Sequence, residues 1–158
     1  MVKIKIIAVG KVKEKYFVDA CNEYLKRLTR YANVSIVEVK EENFVNEPSE
    51  LEIEQILKKE GANIIKELKG EVYVLAIEGK KYSSVEFSRL IKKSRDGVGE
   101  ISIVIGGSYG VANEVKKLAN GLISFSDMTF PHTLARVIAV EQLYRAFNIL
   151  SDGRYHKW

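Results

Sequence analysis

The chain of 158 residues holds one cysteine, two histidines, two prolines and one tryptophan, and each shortage closes off a class of protein. A lone thiol, Cys21, makes no intrachain disulfide. With only His132 and His156 beside it, the soft ligands are too few for a conventional zinc site. No stretch approaches the roughly 20 apolar residues of a membrane span. The opening segment, Met1 to Gly10, alternates lysine with apolar residues and lacks the uninterrupted core and cleavage site of a secretion signal. A cytoplasmic protein with no structural metal and no membrane contact is therefore expected. Scarce proline and glycine, with 46% hydrophobic and 29% charged residues, also exclude disordered and fibrous chains. What is present is one domain's worth of material, residues 1–158, with enough apolar surface for a core.

Charge is unevenly spread. The net charge is +4, yet residues 40–60 hold 7 acidic and 3 basic residues, a local −4, which leaves +8 for the remainder. A polyanionic partner suits that remainder, as does an ordinary basic surface.

The hydrophobic period switches repeatedly between 2 and 3.6, the mark of an α/β domain with a mainly parallel sheet and helices on both faces. Five strands are expected: Ile4 to Val9, Val34 to Val39, Val72 to Ile77, Ile101 to Ile105 and Leu122 to Phe125. Phe17, Cys21, Tyr24 and Leu28 stripe one helix, and Leu51, Ile56, Ile64, Ile65 and Leu68 a second, with a break expected near Gly61. Ser49 with Glu52 and Ser83 with Glu86 have capping-box spacing. A short helix follows Gly110, and Thr133 to Leu150 forms the last.

Ligands of doubly wound sheets bind beyond the carboxyl ends of strands. Three such edges stand out: Leu75-Ala76-Ile77-Glu78-Gly79-Lys80, Ile105-Gly106-Gly107-Ser108-Tyr109-Gly110, and Phe125-Ser126-Asp127-Met128-Thr129-Phe130-Pro131-His132. The second is neither G-x-G-x-x-G nor a P-loop, and reads equally as a ligand cradle or a tight turn. The third sets large apolar groups among Ser126, Asp127 and Thr129, so it either plugs the core or lines a pocket for a flat, partly apolar ligand.

These residues resemble the SPOUT-class RNA methyltransferases, and more narrowly the small bacterial enzymes that methylate N3 of a pseudouridine in large-subunit ribosomal RNA. The likeness runs from Ala8-Val9-Gly10-Lys11 through Ile105-Gly106-Gly107-Ser108 and Phe125 to His132, then Glu141-Gln142-Leu143-Tyr144-Arg145-Ala146 and Tyr155-His156-Lys157. It implies a C-terminal trefoil knot, which periodicity cannot reveal. It also implies S-adenosylmethionine as methyl donor and a homodimer in which each site is completed by its neighbour. The cofactor-binding positions it implies are Leu75, Gly106, Phe125, Ser126, Asp127, Met128, Thr129 and Phe130.

Transfer from a sulfonium is an in-line displacement that depends chiefly on alignment. An N3 imide nitrogen must lose its proton first, and imidazole, which ordinarily titrates near neutrality, makes His156 the candidate base. The bland alternative for His156 is a solvated terminal group. His132 fits a structural cap. Arg136 opposes the helix dipole in the first turn of the last helix and therefore calls for an anionic partner: Glu141, Asp127 or an RNA phosphate. Arg154, Tyr155 and Lys157, with Trp158, offer groups that grip phosphate and stack a base, so Arg136, Arg154, Tyr155 and Lys157 are the RNA-binding candidates. Lys11, Lys13, Lys15, Lys26, Arg27 and Arg30 make a second basic region whose default reading is a solvated face. The last helix is apolar on two sides, Leu134, Val137, Ile138 and Tyr144 against Val140, Leu143, Phe147 and Leu150, which independently calls for a second subunit. Two other functions share this pattern: a module for another nucleotide such as a flavin, and a ribosome-binding protein without activity.

Overall fold

The computed structural model describes residues 1–157. Ten elements alternate along the chain: β1 (Val2–Val9), α1 (Lys15–Leu28), β2 (Ala32–Val39), α2 (Glu50–Glu67), β3 (Glu71–Lys81), α3 (Ser84–Asp96), β4 (Glu100–Ile105), α4 (Asn113–Lys117), β5 (Gly121–Ser124) and α5 (His132–Leu150). The strands form one sheet in the order β2-β1-β4-β3-β5, and every pairing is parallel.

Because side chains alternate across a strand, each strand feeds two cores. Ile4, Ile6, Ile101 and Ile103 pack with Ile91, Leu143 and Phe147 beneath α1, α3 and α5. Ile7, Val9, Val72, Val74 and Val104 meet Ile64 and Val115 beneath α2 and α4. Continuous apolar runs in the central strands are the consequence of burial on both faces.

Both capping boxes form, with each serine hydroxyl accepting the glutamate N–H and each glutamate answering the serine N–H. The break expected near Gly61 does not occur: α2 is continuous, and Gly61 serves contact, since a Cβ there would lie 3.0 Å from that of Ala112. β3 also outruns its expected end. It pairs with β5 through Leu75–Ile123, bulges, and rejoins β5 at Lys80–Ile123 and Lys81–Ser124. Residues 76–79 are thereby thrown outward beside the carboxyl ends of the sheet. Among the described residues no helix is long and apolar enough to cross a membrane.

Candidate active site

The three strand edges converge. Where β3, β4 and β5 end, a cleft of about 890 Å³ opens between Leu75–Glu78, Ile105–Val111 and Ile123–His132, with Leu57 and Lys116 from α2 and α4 on its far side. Of the eight cofactor positions drawn from the sequence, Leu75, Gly106, Phe125, Ser126, Met128, Thr129 and Phe130 line it. A smaller hollow of about 370 Å³ lies at the opposite edge, among Lys3, Thr29, Asn33 and Glu100, where the amino ends of parallel strands are not the usual place for ligands.

The loop after β5 is held by its own hydroxyls. Ser124 Oγ donates to the Ser126 carbonyl at 3.0 Å, and the Met128 amide donates to Ser126 Oγ at 3.0 Å. This turn sends Phe125 back against the core and leaves Met128 at the rim, 74% exposed. Both alternatives for this loop are thus realised, one side chain plugging and another bordering the cleft. Asp127 departs from the expectation. It does not line the cleft; its carboxylate accepts the Lys81 ammonium from the end of β3, outside the cavity. A second rim pair joins Lys116 to Glu78 at 2.7 Å and, with a self-directed backbone hydrogen bond, holds the Glu78 carboxyl below the usual range. His132, read as a structural cap, borders the cleft as the first residue of α5.

Gly106 also differs in its reason. A Cβ there would stand 2.4 Å from the Gly110 carbonyl oxygen and 2.7 Å from Val111 Cγ2, so the turn itself demands glycine before any ligand does. Gly110, at φ +90°, supplies the positive φ that closes the same turn.

Arg136 departs furthest from the expectation. Neither Glu141 nor Asp127 nor a surface phosphate meets it: the side chain is buried, Nη1 donates to Glu38 Oε2 at 2.5 Å, and Nη2 to the Gly10 carbonyl at 3.2 Å. An RNA contact is thereby excluded within this protomer, since the guanidinium lies inside it. Its Nε is buried with no protein acceptor among the described residues. The pair clamps the start of α5 to the ends of β1 and β2.

The C-terminal tail is not a loose terminus. Asp152, at φ +56°, and Gly153 turn the chain back along α5, with the Gly153 amide donating to the Asn148 carbonyl at 2.8 Å. The Tyr155 amide donates to Asn148 Oδ1 at 3.0 Å, its hydroxyl to Glu141 at 2.8 Å, and its ring meets Tyr144 edge-on at 4.8 Å. Burial, Tyr24 and Glu141 together push the Tyr155 phenol well above its ordinary pKa. His156 Nδ1 lies 3.0 Å from Arg145 Nη1. A guanidinium only donates, so Nδ1 is the acceptor and the ring proton sits on Nε2, which is shielded from solvent. Arg154 and Lys157 are exposed, whereas Trp158 lies outside the described residues. Arg145 is 13 residues along α5 from His132, about 20 Å at 1.5 Å per residue, so the tail sits well away from its own cleft.

Residues 2–156, cleft and tail alike, match the family model described as "Predicted SPOUT methyltransferase". The chain belongs to the SPOUT methyltransferase family. Its relatives include proteins named ribosomal RNA large subunit methyltransferase H. That of Lactobacillus delbrueckii subsp. bulgaricus is 47% identical over 157 residues, covering 98% of this chain and 99% of the relative. That of Lactobacillus helveticus is 49% identical over the same shares, and that of Caldicellulosiruptor bescii 47% over 156 residues, again 98% and 99%. A looser likeness in shape is to the crystal structure of the SpoU methyltransferase AviRb from Streptomyces viridochromogenes in complex with the cofactor AdoMet. There the identity is 13% and the TM-score 0.46, over 95% of this chain and 58% of that one.

Sequence reasoning passed over several residues of this SPOUT methyltransferase site. Leu57, Asn113 and Lys116 line the cleft from helices and had no local signal beyond following or facing the glycine-rich turn. Glu141, read from the sequence as a partner for Arg136, instead organises the tail, receiving Arg145 at 2.8 Å and Tyr155 at 2.8 Å. The four-residue spacing of Glu141 and Arg145 on one helix was the available clue.

Proposed function

We propose that this protein methylates N3 of a pseudouridine in large-subunit ribosomal RNA, with S-adenosylmethionine as donor, as a homodimer whose chains follow the knotted path of the family. The observation that carries this reading is the meeting of Leu75, Gly106 and the Phe125–Phe130 loop in one cleft. The names of the relatives supply the RNA class.

The cleft suits such a cofactor by size and by lining. Its volume lies in the range of small-molecule sites, and Leu75, Ile105, Phe125 and Met128 give apolar walls among the polar backbone of three strand ends. When bound, S-adenosylmethionine supplies an electrophilic methyl group on a sulfonium. The protein's own task is alignment and proton removal. The Ser124–Ser126–Met128 turn fixes one wall and the Gly106–Gly110 turn another.

His156 is the residue this reading assigns to the proton of the target base. In this seat Arg145 donates to Nδ1 and Nε2 is enclosed, so the imidazole meets a target base only when the tail shifts from it. It becomes a proton acceptor once Arg145 releases Nδ1. The anchoring of the tail about 20 Å from its own cleft supports service to the second subunit's cleft, where Arg154, Tyr155 and Lys157 would meet RNA. Exposed apolar groups at the rim, Met128, Tyr109 and Ile77, together with the two apolar sides of α5, support the dimer.

Mass spectrometry of ribosomal RNA from a deletion strain, before and after treatment with the purified protein, tests the reaction: one N3-methylated pseudouridine should vanish with the gene and return with the protein. Unchanged RNA, together with no S-adenosylmethionine binding by calorimetry, would leave an RNA-binding protein without activity. A monomer mass by light scattering at micromolar concentration would remove the dimer.

A further inference from the structure

We infer that the loop between β1 and α1, with Lys11, Lys13 and Tyr16, is a contact surface for single-stranded RNA at the rim of the cleft, an inference that rests on the reading of this protein as an RNA methyltransferase. The basic region read from the sequence as one solvated face is split by the fold. α1 is 14 residues long, so about 20 Å separates its two ends. At its far end Arg27 is occupied by Glu23 at 2.8 Å and by the rings of Tyr24 and Tyr144, and Arg30 lies over Tyr31. Those two arginines are engaged by the protein itself, while Lys26 beside them stays exposed.

The near end is different. All five strands are parallel and β1 neighbours β4, so the loop leaving β1 emerges on the same edge as the cleft, beside the glycine-rich turn. The two touch: a Cβ on Gly107 would lie 3.0 Å from Val9 Cγ1. Lys11 and Lys13 are exposed and enter no ion pair among the described residues, whereas Lys15 is held by Asp19 at 2.8 Å. Glu14 beside them enters no ion pair among the described residues, Glu41 sets its carboxylate beside Gly10, and Glu38 behind them is neutralised by Arg136. Tyr16 is 67% exposed, its ring set 4.6 Å from that of Phe17, an aromatic face presented to solvent beside two free cations. Cations following a backbone with an aromatic on which a base stacks are the means by which single strands are held without sequence reading.

The loop is also fixed relative to the cleft. The Gly10 amide donates to the Val39 carbonyl at 2.8 Å, and the Gly10 carbonyl accepts Arg136, one turn into the helix whose first residue borders the cleft. A strand lying over Lys11 and Lys13 is therefore held in register with the reacting edge.

The test is the affinity of full-length protein for a labelled single-stranded RNA 20-mer between 50 and 200 mM KCl. Each phosphate contact contributes about 0.7 to the slope of log affinity against log salt, and so about fivefold at 0.1 M. Lys11→Glu/Lys13→Glu should lower the slope by at least about 1.4 and the affinity by at least about 25-fold at 0.1 M, the values for two lost contacts. S-adenosylmethionine binding by calorimetry should be unchanged, and turnover should show a raised KM with kcat retained. Tyr16→Ala should lose about fivefold in affinity at an unchanged slope. Lys92→Glu/Lys93→Glu, exposed near the end of α3 at the opposite sheet edge, carries the same change in net charge and should leave the slope as it is. An unchanged slope in the loop variant, or an equal fall in the α3 variant, overturns the inference. If charge reversal disturbs folding, Lys11→Ala/Lys13→Ala must still lower the slope by about 1.4. If the parent protein methylates no ribosomal RNA, the reading of the cleft fails while the salt slope still decides the loop.

Discussion

Adding one methyl group at position 106 probes how the cleft wall is built. The Cβ of Gly106→Ala would sit 2.4 Å from the Gly110 carbonyl oxygen, 2.6 Å from its carbon and 2.7 Å from Val111 Cγ2. Two of these three neighbours are backbone, which has no rotamer to give. Relief to an ordinary 3.4 Å contact asks the turn to retreat by about 1 Å, the difference between the two distances. Overpacking of this kind costs about 1–3 kcal/mol, or roughly 2–12 °C in Tm for a domain of this size. The retreating segment lines the cleft, and a misplacement near 1 Å is worth up to about 10²-fold in turnover. Stability, cofactor affinity and rate should therefore fall together, measured by thermal melting, calorimetry with S-adenosylmethionine and methyl incorporation. Gly110→Ala is the companion. Nothing lies within 4 Å of its Cβ, so it should show only the strain of φ +90°, about 1–2 kcal/mol. If Gly106→Ala keeps the parental Tm and loses cofactor alone, the glycine faces the ligand and the steric account of the turn is wrong.

Arg136→Met should cost about 1–3 kcal/mol by urea denaturation, because the Gly10 carbonyl and Glu38 lose their donor; the 38% exposure of the Glu38 side chain keeps this below the cost of a fully enclosed pair. Adding Glu38→Gln should recover part of the loss, and a double variant no better than the single one would count against the clamp. Deleting residues 154–158 removes the Tyr155 hydrogen bonds and its contact with Tyr144, so about 1–3 kcal/mol of stability should be lost, and turnover should fall by orders of magnitude if the tail serves the second subunit's cleft. A parental urea midpoint would mean that the tail is not seated on α5. Burial, and then Glu41 and Glu42, push the Glu60 carboxyl up, so its ionisation opposes the fold: the penalty is absent below the ordinary glutamate range and fully present above the raised value. Glu60→Gln, which keeps an acceptor for the Glu42 amide, should melt higher than the parent at pH 8 and converge with it near pH 4. A gap independent of pH would rule out this origin.

The architecture was legible where its causes are local. Alternation of Ile4, Ile6 and Ile101, Ile103 placed strands, and the Ser49/Glu52 and Ser83/Glu86 spacings placed two helix starts to the residue. The bulge that carries β3 on to Lys81 was not legible, because it is set by pairing with β5 more than 40 residues later. Arg136 shows the limit well: its misfit with the helix dipole announced an anionic partner, but Glu38 lies 98 positions away. The three strand edges of the cleft followed from topology alone. Asp127 was drawn into that set by its neighbours in sequence, and only the Lys81 ammonium at the end of β3 explains why it turns away.

The order of strands has a consequence for the life of the nascent chain. β1 is made first and needs two partners; β2 follows within 30 residues, but β4 begins only at Glu100, which pairs with Lys3. At synthesis rates of about 5–20 residues per second, the N-terminal strand waits on the order of 5–20 s with one flank open. During that interval Ile4, Ile6 and Ile7 sit beside an unpaired edge, the template on which foreign strands add. β4 thus closes the interior of the sheet by joining β1 to β3, and only the edge strand β5 is added after it. Ribosome-bound chains stalled before Glu100 should be cut by protease within β1, and chains extended beyond α5 should resist.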